Sequence, residues 1–135
     1  MKILSLLAGL LLMISQPKAP NYIGMSKDDI KETMQKLNSG FDFDEGAKND
    51  TYKYLKYVDK YNEETWLFFL TVDDACFKSK LMSDYSNLKN RVDELDKTYK
   101  NAGEDKWVYL EKGVTYFVEL KKEEWFFTIV TYKKK

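Results

Sequence analysis

The sequence predicts an α+β fold: an antiparallel sheet with two helices on one face, in the order αβββαβββ. Three observations predict it. Two segments, 26–37 and 88–99, carry apolar residues at helical spacing. Six others, rich in Tyr, Phe, Trp and Val and bounded by turn residues, read as strands. The halves also share a pattern at an offset of about 58 residues: Ile30, Met34 and Leu37 map onto Leu88, Val92 and Leu95, and Trp66-Leu67-Phe68 onto Trp125-Phe126-Phe127. These pseudo-repeats, 24–82 and 84–133, lie within one domain over 20–135.

The chain opens with Met1-Lys2 and an apolar run from Ile3 to Ile14, the layout of a secretory signal peptide over residues 1–19. The run is too short to span a bilayer, which takes about 20 apolar residues. Cleavage after Ser15 or Gln16 is as defensible as after Ala19, because Pro17 and Pro20 flank that site poorly. No Cys follows the run, so a bacterial lipid anchor is not available there. The expected location is periplasmic or secreted.

The first helix begins at Ser26, a good N-cap with Asp29 three residues on. Met25 and Ile30 are placed as a hydrophobic staple, and Asn38-Ser39-Gly40 ends the helix. Phe41-Asp42-Phe43 reads as a short edge strand, followed by strands over 51–58 and 65–72. Asp73-Asp74-Ala75 turns the chain into 76–82, where Phe77, Ser79 and Leu81 share one face. The second helix starts between Asp84 and Leu88, holds Leu88, Val92, Leu95 and Tyr99 in one stripe, and stops at Gly103. Strands 107–111, 114–121 and 125–133 close the chain, the first two joined by a tight turn at Glu111-Lys112-Gly113 whose Gly takes positive φ.

Composition narrows the chemistry. The 135 residues hold 22 basic and 22 acidic side chains, no His and a single Cys. Without imidazole there is no Ser-His-Asp or Cys-His catalysis and no His metal site. Loss of residues 1–19 removes Lys2 and Lys18, leaving 20 basic against 22 acidic residues and a net charge of −2, unsuited to nucleic acid. Cys76 cannot form an intramolecular disulfide and has no base to activate it, so it reads as a small hydrophobe. Arg91 is the single arginine, which argues against bidentate recognition of phosphate.

Gly24-Met25-Ser26, with Ile30 behind it, resembles the opening of small envelope domains of the SmpA/OmlA type. Residues 65–81, two strands about an acidic turn, look like the hairpin that ends such units. The resemblance covers residues 22–82 and implies a fold related to that of the β-lactamase-inhibitor protein, in which helix-plus-sheet units repeat in tandem. It also implies an envelope location. The Gly-x-Pro that usually follows the helix and the lipid-bearing Cys are both missing, so a role in outer-membrane assembly is not carried over.

Polar motifs carry little chemistry. Counted from Asp42, a calcium loop would need an oxygen ligand at Gly46 and Glu at Lys53, so the acidic run is a solvated loop. Asp73-Asp74 suits a hairpin tip better than acid–base work. Asn49-Asp50-Thr51 is a glycosylation sequon, and Lys133-Lys134-Lys135 is a solvated tail. No metal or cofactor is expected.

The three Trp, ten Tyr and eight Phe are more informative. Strand alternation sends Trp66, Phe68, Leu70, Val114, Tyr116, Val118, Trp125, Phe127 and Ile129 toward the helices. The opposite face then receives Tyr52, Tyr54, Leu67, Phe69, Trp107, Tyr109, Phe117, Phe126 and Tyr132, where a solvated sheet would carry polar residues. Such rings mark a partner surface, unless loops or segment 20–24 cover them. The expected function is therefore a non-enzymatic, exported binding module whose partner is a protein, peptide or glycan of the cell envelope. The alternatives are a carboxylate-dependent hydrolase using Asp42, Asp44 or Asp73, and a structural protein that dimerises through the sheet.

Overall fold

The computed structural model describes residues 19–46 and 51–135, so all but Ala19 of the expected signal peptide over 1–19, and Asn49-Asp50 of the sequon, lie outside the described residues. Helix α1 (Lys27–Leu37) precedes four strands, β1 (Asp42–Phe43), β2 (Tyr54–Asp59), β3 (Glu64–Leu70) and β4 (Cys76–Ser83). After a 3-10 turn (Tyr85–Asn87), helix α2 (Leu88–Thr98) precedes β5 (Lys100–Gly103), β6 (Lys106–Glu111), β7 (Val114–Lys122) and β8 (Phe127–Lys133). All eight strands form one antiparallel sheet in the order β1-β2-β3-β4-β8-β7-β6-β5. Each half is thus a helix followed by a four-strand meander, and the meanders meet where β4 pairs with β8, from Lys78↔Tyr132 to Ser83↔Phe127.

The expected α+β class, with two helices layered on one face, is corrected. The described chain is mainly β, an eight-stranded sheet carrying two helices of 11 residues each. Helices of that length extend about 16 Å, whereas eight strands at their usual spacing are about 34 Å across. Two such helices cover only part of that width, so the sheet dominates the fold. α2 contributes no fully buried residue and α1 only Ile30 and Met34.

Local chemistry explains the element ends. The Ser26 side chain accepts from the Asp29 N–H at 3.1 Å, and Asn38 leaves α1 in the left-handed region. α2 stops at Thr98, not at Gly103, because Tyr99 turns extended and stacks its ring on Tyr109 at 4.6 Å. Residues Lys100–Gly103 then become an exposed edge strand. Lys112 (φ 51°) and Gly113 (φ 79°) form a two-residue hairpin between the paired Glu111 and Val114. A bulge at Phe69/Leu70 inserts Phe77 between paired Cys76 and Lys78, so Phe77 leaves the face of Ser79 and Leu81 and is exposed.

Two apolar clusters fill the covered side. Ile30 and Met34 pack with Tyr22, Leu55, Tyr57, Phe68 and Leu70, and Leu88, Val92 and Leu95 lie against Leu81, Trp107, Leu120 and Phe127. Residues 20–26 form a strap on this side. The Asn21 side chain meets Tyr109 and Glu111, and the backbones of Gly24 and Met25 bond to Cys76. The strap does not cover the other side.

Candidate functional site

Register defines the second side of the sheet. Tyr54, Phe69, Lys78, Tyr132, Phe117 and Val108 stand opposite one another across β2, β3, β4, β8, β7 and β6. The neighbouring row on that side is Lys56, Leu67, Lys80, Val130, Glu119 and Lys106. Neither apolar cluster includes any of these residues. Their rings rest on each other instead: Phe69 lies 6.1 Å from Tyr54, 6.3 Å from Tyr52 and 6.5 Å from Phe77, and Phe117 lies 5.8 Å from Tyr132.

Charge is interleaved with the rings. Lys78 Nζ sits 4.8 Å from the centroid of Phe69, and Lys56 Nζ is 3.6 Å from Asp44. The Tyr132 hydroxyl donates to Glu119 Oε1 at 3.0 Å. Burial, reinforced by that carboxylate, raises the Tyr132 pKa above the ordinary phenol value. The two rows hold Lys56, Lys78, Lys80 and Lys106 against Glu119, with Asp44 beside Lys56, so this side is cationic as well as aromatic.

Of the nine residues expected here, Tyr54, Leu67, Phe69, Phe117 and Tyr132 share this side, half-buried, and Tyr52 flanks it, exposed. Phe126 lies outside the strands, in the turn before β8, and is exposed. Trp107 and Tyr109 are corrected to the covered side. Trp107 is 2% exposed and its indole N–H donates to Asp96 Oδ1 at 2.9 Å. The Tyr109 hydroxyl donates to Asn21 Oδ1 at 2.8 Å, and burial drives its pKa upward. The two-residue turn at Lys112-Gly113 carried the missed signal. It places Glu111 opposite Val114, hence Trp107 opposite Val118 and Tyr109 opposite Tyr116, on the side assigned to those partners. Trp125, expected toward the helices, precedes β8 and is also exposed.

The lysines of the central strands were missed as members of the site. Strand alternation puts Lys56, Lys78 and Lys80 on the same side as Tyr54 and Phe69, so the signal was present.

Asp73 of the alternative enzyme reading is not brought to Asp42 and Asp44. Asp42 pairs with Val58, which faces Thr65 at the start of β3, whereas Asp73 lies beyond its end. About 16 Å of strand separates those ends. Asp44 is held by Lys56 and by the Gly46 N–H. Burial pushes the Cys76 thiol up to about 11, keeping it protonated at neutral pH. Among the described residues no cluster of three Cys, Asp or Glu could hold a metal ion.

No protein-family model, curated protein or solved structure matches the chain. The resemblance to small envelope domains therefore rests on Gly24-Met25-Ser26, Ile30 and the two strands over 65–81.

Proposed function

We propose that the protein is an exported, non-enzymatic binding module, and that the aromatic side of its sheet takes an acidic polypeptide partner. One observation carries this reading: the in-register row Tyr54, Phe69, Lys78, Tyr132 and Phe117 crosses five strands with no chain segment of either apolar cluster packed on it. Rings of this kind bury large areas with few rotors, and the flanking lysines favour carboxylates over basic partners. The apolar run Ile3–Ile14 and the envelope-domain resemblance support export. Among the described residues no helix is long and apolar enough to cross a membrane. The sheet edges are poor partners, since β1 has two residues and β5 four.

The test compares the purified protein with a Tyr54→Ser, Phe69→Ser, Phe117→Ser variant, both immobilised and exposed to envelope extract. The protein should retain an acidic polypeptide that raised salt releases, and the variant should retain at least tenfold less. Circular dichroism should show the sheet intact in both. Equal retention by a folded variant would remove the aromatic side as the site.

A further inference from the structure

The covered side of the sheet carries a separate feature. The row Leu55, Phe68, Ser79, Thr131, Val118 and Trp107 crosses the strands in register. Its ends are bulky, and its centre holds two small hydroxyl residues side by side. Above Ser79 and Thr131, the strap, the sheet and α2 line a partly open cavity of about 160 Å³. Its walls are rings and branched aliphatics, among them Tyr22, Trp66, Leu81, Leu95, Val118 and Ile129. No hydrogen bond among the described residues engages the Ser79 or Thr131 hydroxyl, although Ser79 is only 5% exposed.

The charged groups in and beside the wall are already bonded to one another. Arg91 donates to Glu64 through Nε (2.9 Å) and Nη2 (2.6 Å), and to Glu94 through Nη1 (3.2 Å). An anionic ligand would find two carboxylates around that guanidinium, and a cationic one the guanidinium itself. A neutral ligand meets neither repulsion. Apolar cavities of roughly 150 Å³ accept a benzene ring. Ligand sites combine such walls with a few placed polar groups, and each hydroxyl here can both donate and accept.

We infer that this cavity binds a neutral, single-ring molecule with one hydroxyl group, of the class of simple phenols, the hydroxyl anchored on the Ser79–Thr131 pair. The site is independent of the aromatic side proposed above. p-Cresol and toluene, titrated into the purified protein, are the probes, read through the methyl resonances of Leu81, Val118 and Ile129. Both should shift these signals saturably, p-cresol binding about fivefold to tenfold tighter, as one net hydrogen bond allows. Ser79→Ala with Thr131→Val should erase that preference while toluene affinity stays within twofold. Ser79→Leu should abolish both by filling the floor; if it fails to fold, the double variant still decides. Absence of saturable shifts, or a preference that survives the double variant, would overturn the inference. So would loss of binding in Phe69→Ser, which alters only the other side.

Discussion

The tie between α2 and the sheet gives the sharpest expectation for stability. α2 buries no residue completely, and its one arginine makes a bidentate pair with Glu64 on β3. Glu64 is 5% exposed and accepts a third bond from Ser83 Oγ at 2.8 Å. Arg91→Met keeps the helix-forming, apolar stem but leaves a buried carboxylate with Ser83 alone. Breaking a buried pair from one side costs about 3–5 kcal/mol, and the 23% exposure of the Arg91 side chain admits water, which favours the lower end. A loss of about 3 kcal/mol corresponds to a fall of roughly 10 °C in Tm for a domain of this size. Urea and thermal unfolding followed by circular dichroism measure both quantities. Adding Glu64→Gln should recover about half of the loss, because the orphan is then neutral. A loss below about 1 kcal/mol in Arg91→Met, or no recovery in the double variant, would refute the buried-pair reasoning.

Three further outcomes follow from burial and register. Phe68→Ala, at a fully buried site, should cost about 3–5 kcal/mol in urea unfolding, whereas Phe69→Ala on the next residue should cost less than about 1.5. Trp107→Phe should lose about 1–2 kcal/mol by the same measurement, because the smaller ring leaves space at a buried site and the indole N–H bond to Asp96 is lost. The side-chain bond from Asn62 holds the Asp59 pKa below its ordinary value. A depressed folded-state pKa gives stability above the unfolded pKa near 4 that is lost as pH falls through the folded value. The stability gap between the protein and Asn62→Ala should therefore be full at pH 6 and close under acid, as read by unfolding across pH 2–6.

Much of the fold was legible because its signals are local. Ser26 and Asp29 cap one helix through neighbouring backbone, and Lys112-Gly113 makes a turn that needs no distant partner. The end of α2 was not legible. Residues 97–101 could continue a helix, and what stops them is the ring of Tyr99 seeking Tyr109, a tertiary contact. The fold class was misjudged for a related reason: Lys100–Gly103 has little strand character and pairs only because β6 offers an edge. Tyr54, Leu67, Phe69, Phe117 and Tyr132 could be assigned to one side from alternation within their strands. Trp107 and Tyr109 needed alternation carried across a hairpin, and Phe77 needed knowledge of a bulge. The cavity was invisible in the sequence, since nothing local places Ser79 opposite Thr131.

The central claim is that one side of the sheet presents its rings to a partner. Paramagnetic relaxation of ring protons by a neutral, soluble gadolinium chelate tests it most directly, in the free protein and with the retained acidic polypeptide bound. The expected result is strong relaxation of Tyr54, Phe69 and Phe117 in the free protein, suppressed on binding, with Phe68, Tyr57 and Trp107 unaffected throughout. Protection of Tyr54, Phe69 and Phe117 in the free protein, or relaxation of those three that binding leaves unchanged, would contradict it.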